Sequence, residues 1–113
     1  MEKKILKIQA SAFNALAHPL RLKILEKLRA GPCCVCEIIP YVGGEQSNVS
    51  HHLAILRGAG IVQGEKRGVE VWYEIVDPRI YKIIDTMDEC IIGNLNRTRG
   101  LLQTITESRK SKS

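Results

Sequence analysis

Between Val35 and Gly58 two helix-spaced apolar stretches are separated by little more than the glycine pair Gly43-Gly44. So short a connection forces two helices to pack against each other at a steep angle, and this limits the folds open to the chain. The first stretch opens around Cys34 or Val35 and runs through Glu37, Ile38 and Ile39. Pro40 inside it removes a backbone hydrogen bond and should kink its last turn. The second spans Gln46 to Gly58, with Val49, Leu53 and Leu56 at i, i+4 and i+7 turned inward. Gln46, Ser47, Ser50 and His51 then fall on its outer, N-terminal side. A short helix, a glycine turn and a second helix with a small polar outer face make a helix-turn-helix, in which the second helix approaches base edges.

The residue types suit that task. Glutamine can pair in bidentate fashion with adenine, and serine can donate or accept. Arg57, later in the helix, suits a phosphate contact, which adds affinity without specificity. His52 points nearer the packed side and reads as structural. Beyond Gly60, Ile61-Val62 and Val69 to Val76 have strand character, with Val69, Val71, Tyr73 and Ile75 alternating against Glu70, Trp72, Glu74 and Val76. Lys66-Arg67-Gly68 forms the expected hairpin tip, and Lys66 and Arg67 are candidate phosphate contacts. A solvated hairpin would carry the same charges for solubility, and Glu65 and Glu70 dilute the positive field.

On either side lie further helices. Ile5 to Ala17 has apolar residues at helical spacing, and Pro19 suits the first turn of a second helix through Leu22, Ile24, Leu25 and Leu28, which Gly31-Pro32 ends. Asp77-Pro78 starts a last helix along the stripe Ile80, Ile84, Met87, Ile91, Leu95, Leu102 and Ile105, weakened at Gly93 and Gly100. The tail, residues 108–113, is polar and expected to fray. The expected architecture is one mainly α domain over residues 1–113 with a small β-hairpin, in the order α-α-α-α-β-β-α. A chain of 113 residues buries a limited share of its surface. Apolar stripes on segments 1–17 and 79–107 would stay exposed in a monomer, and they point to a homodimer joined through these terminal helices.

Lys and Arg number 17 against 12 Asp and Glu, a formal net charge of +5. This balance supports a nucleic-acid partner without establishing it. No apolar run approaches the ~20 residues of a membrane span, and the N-terminus lacks a signal-peptide core, so a cytoplasmic location is expected. Cytosolic thiols stay reduced by default, and Cys33, Cys34, Cys36 and Cys90 therefore suggest metal binding or redox sensing before a structural disulfide. No Ser/His/Asp set, phosphate loop or βαβ setting for a Cys-x-x-Cys oxidoreductase is present. No catalytic residue is expected, and an enzyme is disfavoured.

Leu16 through Leu25, Val35-Cys36-Glu37-Ile38, Gln46 through Arg57, Ala59-Gly60-Ile61-Val62 and Gly68 through Tyr73 together resemble the ArsR/SmtB family of winged-helix repressors. The likeness covers residues 16 to about 76. It implies a homodimer that needs no cofactor to bind DNA and places one recognition helix in each half of a palindromic operator in double-stranded DNA.

The resemblance also bears on the cysteines. In arsenic- and cadmium-sensing members the third helix opens on Cys-Val-Cys-Asp, where this chain has Cys34-Val35-Cys36-Glu37. Soft thiolates select As(III) or Sb(III), and also Cd(II), Pb(II) or Zn(II), over hard cations. Residues at i and i+2 of a regular helix point about 200° apart, so the two thiols converge only if the first turn is unwound. A helix start also favours thiolate. Many arsenic sensors have a further cysteine where this chain has Ile39, so a third thiolate would be Cys33, with Cys90 as the alternative. The zinc and nickel sensors of the family use Asp and His on the last helix, which here offers Asp85, Asp88 and Glu89 but no histidine. Cys33 and Cys36 also form a Cys-x-x-Cys pair within disulfide reach, so a redox or sulfur-responsive regulator competes with the metal sensor.

Overall fold

In a computed structural model, which describes residues 2–111, Lys3–Leu16 form helix α1 and Pro19–Leu28 helix α2. His18 caps α2: its Nδ1 accepts the Leu20 N–H at 3.0 Å, and Pro19 occupies the first turn without loss of a hydrogen bond. Cys33–Cys34 then form a two-residue strand, β1, that the periodicity did not foretell. Helix α3 (Val35–Val42) continues through Pro40 and ends at Gly43, whose φ of +70° supplies the left-handed C-terminal cap. Helix α4 covers Gln46–Gly58, as its spacing predicts.

Strands β2 (Val62–Arg67) and β3 (Glu70–Ile75) make the hairpin, and β1 pairs with β3 on its other edge, giving the order β1-β3-β2. All pairs are antiparallel. The expected tip is corrected here. Lys66 and Arg67 belong to β2, Arg67 is paired with Glu70, and the turn is Gly68-Val69. Two-residue hairpin turns match strand twist best, and Gly68 at φ +65° takes the position a side chain resists. Val69, expected in a strand, is 98% exposed at the turn.

The chain divides into two compact units, one ending at Pro78 and the other beginning at Arg79. The first holds the core: Ile24, Leu25 and Leu28 of α2, Ile38 and Val42 of α3, Val49, Leu53 and Leu56 of α4, and Val62 of β2 are all buried. Helix α1 adds only Ala15, while its Ile5, Leu6, Ile8 and Phe13 remain exposed. The second unit is one helix, α5 (Arg79–Ser111), unbroken at Gly93 and Gly100. It continues into the segment expected to fray, whose positions 112 and 113 lie outside the described residues, as does Met1. Ile83, Met87, Ile91, Ile92, Leu95, Leu101, Leu102 and Ile105 are exposed along it. Among the described residues no helix is long and apolar enough to cross a membrane.

Candidate functional site

Inward Val49, Leu53 and Leu56 orient α4 so that Gln46, Ser47, Ser50 and His51 are all exposed on one helix, with Arg57 exposed in its last turn. His52 is buried at 6% exposure. Its Nδ1 accepts the Arg21 Nε–H at 3.1 Å, and its ring lies 4.2 Å from that of His18. Arg21 also donates from one terminal nitrogen to the carbonyls of Asn14 at 3.0 Å and Ala15 at 3.1 Å. One guanidinium thus joins the last turn of α1 to the recognition helix. Burial lowers the His52 pKa below its ordinary value, and the neighbouring His18, Arg21 and His51 lower it further. A neutral ring is what the Arg21 bond requires, since Nδ1 must carry a lone pair.

Lys66 and Arg67 are exposed at the end of β2. The Arg67 guanidinium lies 4.6 Å from the centre of the Trp72 ring and 3.5 Å from Glu65. The wing therefore presents Arg67 braced against an aromatic face instead of loose in solvent.

The thiols sort into two groups. Cys34 stays outside α3 in an extended conformation (φ −68°, ψ 145°) as its N-cap, and its Sγ accepts the Cys36 N–H at 3.2 Å. This resolves the 200° difficulty without unwinding: only Cys36 is helical, and the two sulfurs meet and are joined, with Cα atoms 5.1 Å apart. Cys33, the expected third thiolate, is elsewhere. Successive strand residues point to opposite sides. The Cys33 thiol is accordingly buried against the carbonyls of Gly31 at 3.5 Å and Lys27 at 3.7 Å. Burial pushes its pKa up, Lys27 pulling against the rise and Glu37 adding to it. The expected Cys33–Cys36 redox pair is likewise not formed, because Cys36 meets Cys34 instead. Cys90 is exposed on α5.

Glu70, whose charge in the sequence only dilutes the positive field of the wing, lies beside the pair. Ligand atoms of Cys34, Cys36 and Glu70 all fall within 4.8 Å of one another. The link is the β1–β3 register, which sets Cys34 opposite Trp72, two residues from Glu70. No periodicity signals a two-residue strand, so the proximity was hidden. A cavity of about 490 Å³ opens here, lined by Cys34, Cys36, Ile39 and Glu70 and also by Gln46 and Ser50 of α4.

A polar recognition helix packed on a short helix, followed by a basic β-hairpin, defines a winged helix-turn-helix regulator. The family model described as "Bacterial regulatory protein, arsR family" matches residues 18–63. An HTH-type transcriptional regulator of Methanocaldococcus jannaschii, MJ1325, is 46% identical over 81 residues, covering 71% of this chain and 91% of the relative. The HTH-type transcriptional regulator NmtR of Mycobacterium tuberculosis is 42% identical over 76 residues, 67% of this chain but only 63% of its own length. The crystal structure of M. tuberculosis Rv0081 superposes with a TM-score of 0.76 at 33% identity, covering 84% of this chain and 96% of that one. The chain belongs to the arsR family of bacterial regulatory proteins and is a DNA-binding transcriptional regulator, not an enzyme.

Proposed function

We propose that this regulator represses transcription as a homodimer on a palindromic operator and leaves the DNA when Cys34 and Cys36 take up a thiophilic metalloid or metal ion. As(III) and Sb(III) are the leading inducers, with Cd(II), Pb(II) and Zn(II) in the same chemical class. The observation that carries this reading is that Cys34 and Cys36 line one cavity with Gln46 and Ser50 of the recognition helix. A change at the thiols is therefore felt where bases would be read. Gln46, Ser47, Ser50 and His51 read base edges, and Arg57, Lys66 and Arg67 hold phosphates. Cys34 and Cys36 hold the ion, which supplies the energy to favour a conformation that fits DNA poorly. The exposed apolar residues of α1 and α5 support the dimer.

The test is a gel shift with reduced protein and its own upstream DNA. Binding should weaken steeply with salt, and no binding at low salt would sink the repressor reading. As(III), Cd(II) and Zn(II) are then titrated onto the complex. Release of wild type but neither Cys34→Ser nor Cys36→Ser is expected, whereas no release by any ion rejects the sensor.

A second reading, a thiol-redox or sulfur-responsive regulator, is favoured by the joined Cys34 and Cys36 sulfurs. Here two thiols give two electrons and two protons to an oxidant. A mild oxidant in the same titration, releasing DNA without any metal, would select it.

A further inference from the structure

We propose that Glu70 is the third donor of the Cys34–Cys36 site, which makes it a site for a divalent cation of borderline softness, such as Cd(II) or Zn(II), instead of As(III). This rests on the reading of the two thiols as the sensor and, within the same thiophilic class of inducers, moves the preference from As(III) and Sb(III) to a divalent cation. The three donor atoms lie within 4.8 Å of one another. Sulfur and oxygen donors around one zinc are about 3.5–3.8 Å apart, from metal–ligand distances of about 2.0–2.3 Å, so a small side-chain rotation closes the set. Cys33, the other thiol of this unit near the pair in sequence, is turned to the Lys27 and Gly31 carbonyls.

The carboxylate is held as metal-binding carboxylates are. The Trp72 indole N–H donates to Glu70 Oε2 at 3.1 Å, which orients the group and leaves Oε1 outside that bond. Arg67 is the basic residue across the ladder from Glu70, and it is drawn to Glu65 and the Trp72 ring. Two thiolates and one carboxylate suit a divalent cation that accepts both sulfur and oxygen. As(III) and Sb(III) favour three thiolates, and a carboxylate replaces one poorly.

The placement also states what the ion does. Cys34 caps α3 and Cys36 lies in its first turn, and Glu70 begins β3 next to the wing turn. One ion shared among them ties the wing to the start of the helix-turn-helix. Arg67, paired with Glu70 in register, is carried with it.

Binding requires the dithiol. A phosphine reductant and water convert the joined sulfurs to two thiols and a phosphine oxide, and uptake of M(II) then displaces two thiol protons. The experiment titrates Cd(II) into reduced full-length protein and follows the ultraviolet sulfur-to-cadmium charge-transfer band, with chelator competition for affinity. E70Q should bind Cd(II) about ten- to a hundredfold more weakly than wild type, with the same band intensity at saturation. The control E65Q should match wild type, and As(III) affinity should be unchanged in E70Q. E70C adds a third thiolate, so its band should grow by about half and its As(III) affinity should rise. Equal Cd(II) affinity in E70Q and wild type, or no added intensity in E70C, overturns the assignment of Glu70. Absence of the band in wild type overturns the thiol sensor and this site together. A normal band with no release of DNA overturns the sensor reading and leaves the site standing.

Discussion

His52 shows how a single buried side chain ties titration to folding. Its pKa is depressed in the folded chain, so the unfolded chain takes up the proton first. The stability it contributes is complete above the unfolded value near 6.5 and declines as pH falls below that toward the lowered folded value. Thermal melts between pH 7.5 and pH 5 should show this fall, and His52→Gln should flatten that part of the curve; identical slopes would refute the link. At this scale the sequence was half legible. Helical direction alone placed His52 inward and Gln46, Ser47, Ser50 and His51 outward. The partners of those residues were not legible, because Arg21 is 31 positions from His52 and no local pattern connects them. The direction of the Cys33 thiol was not legible for a related reason: a two-residue strand imposes an alternation but carries no periodicity of its own.

Among the elements, α4 was read to the residue because apolar period and glycine stop agree. The hairpin was read as present but with its tip set too early, since alternation fits Val69 to a strand while turn geometry needs Gly68 first. Placing a β-carbon at Gly68, with its φ of +65°, strains the backbone even though nothing lies within 4 Å of it. Gly68→Ala should cost about 1 kcal/mol and lower the melting temperature by about 4–8 °C. An unchanged melt would show that the turn rearranges freely. The unbroken α5 has the opposite lesson. Two glycines cost about 1 kcal/mol each, too little to interrupt a helix of 33 residues. For the wing, Lys66→Ala should weaken binding to operator and random DNA alike and reduce the salt slope by about 1, as a phosphate contact does. A selective loss on the operator would instead make Lys66 a base reader.

For the molecule as a whole, the exposed apolar residues of α1 and α5 carry the expectation of a dimer. Ile91→Lys with Leu95→Lys should shift the mass measured by sedimentation toward 12.7 kDa and weaken operator binding, because two half-sites would no longer be held by one particle. A double variant that stays dimeric would move the interface away from α5. Core burial within the first unit was legible from pattern; assembly was legible only as unspent apolar surface.

The Arg21 clamp has a consequence that reaches across the first unit. Its three acceptors are the His52 ring and the carbonyls of Asn14 and Ala15, so melting the last turn of α1 removes two of them. Helix α1 adds a single residue to the core, yet its last-turn carbonyls hold the α2 arginine that donates to His52 of α4. Deuterium should therefore enter the amides of α4 faster when α1 is cut away, and a chain clipped at its N-terminus would lose the steadiness of its reading helix before it lost its fold.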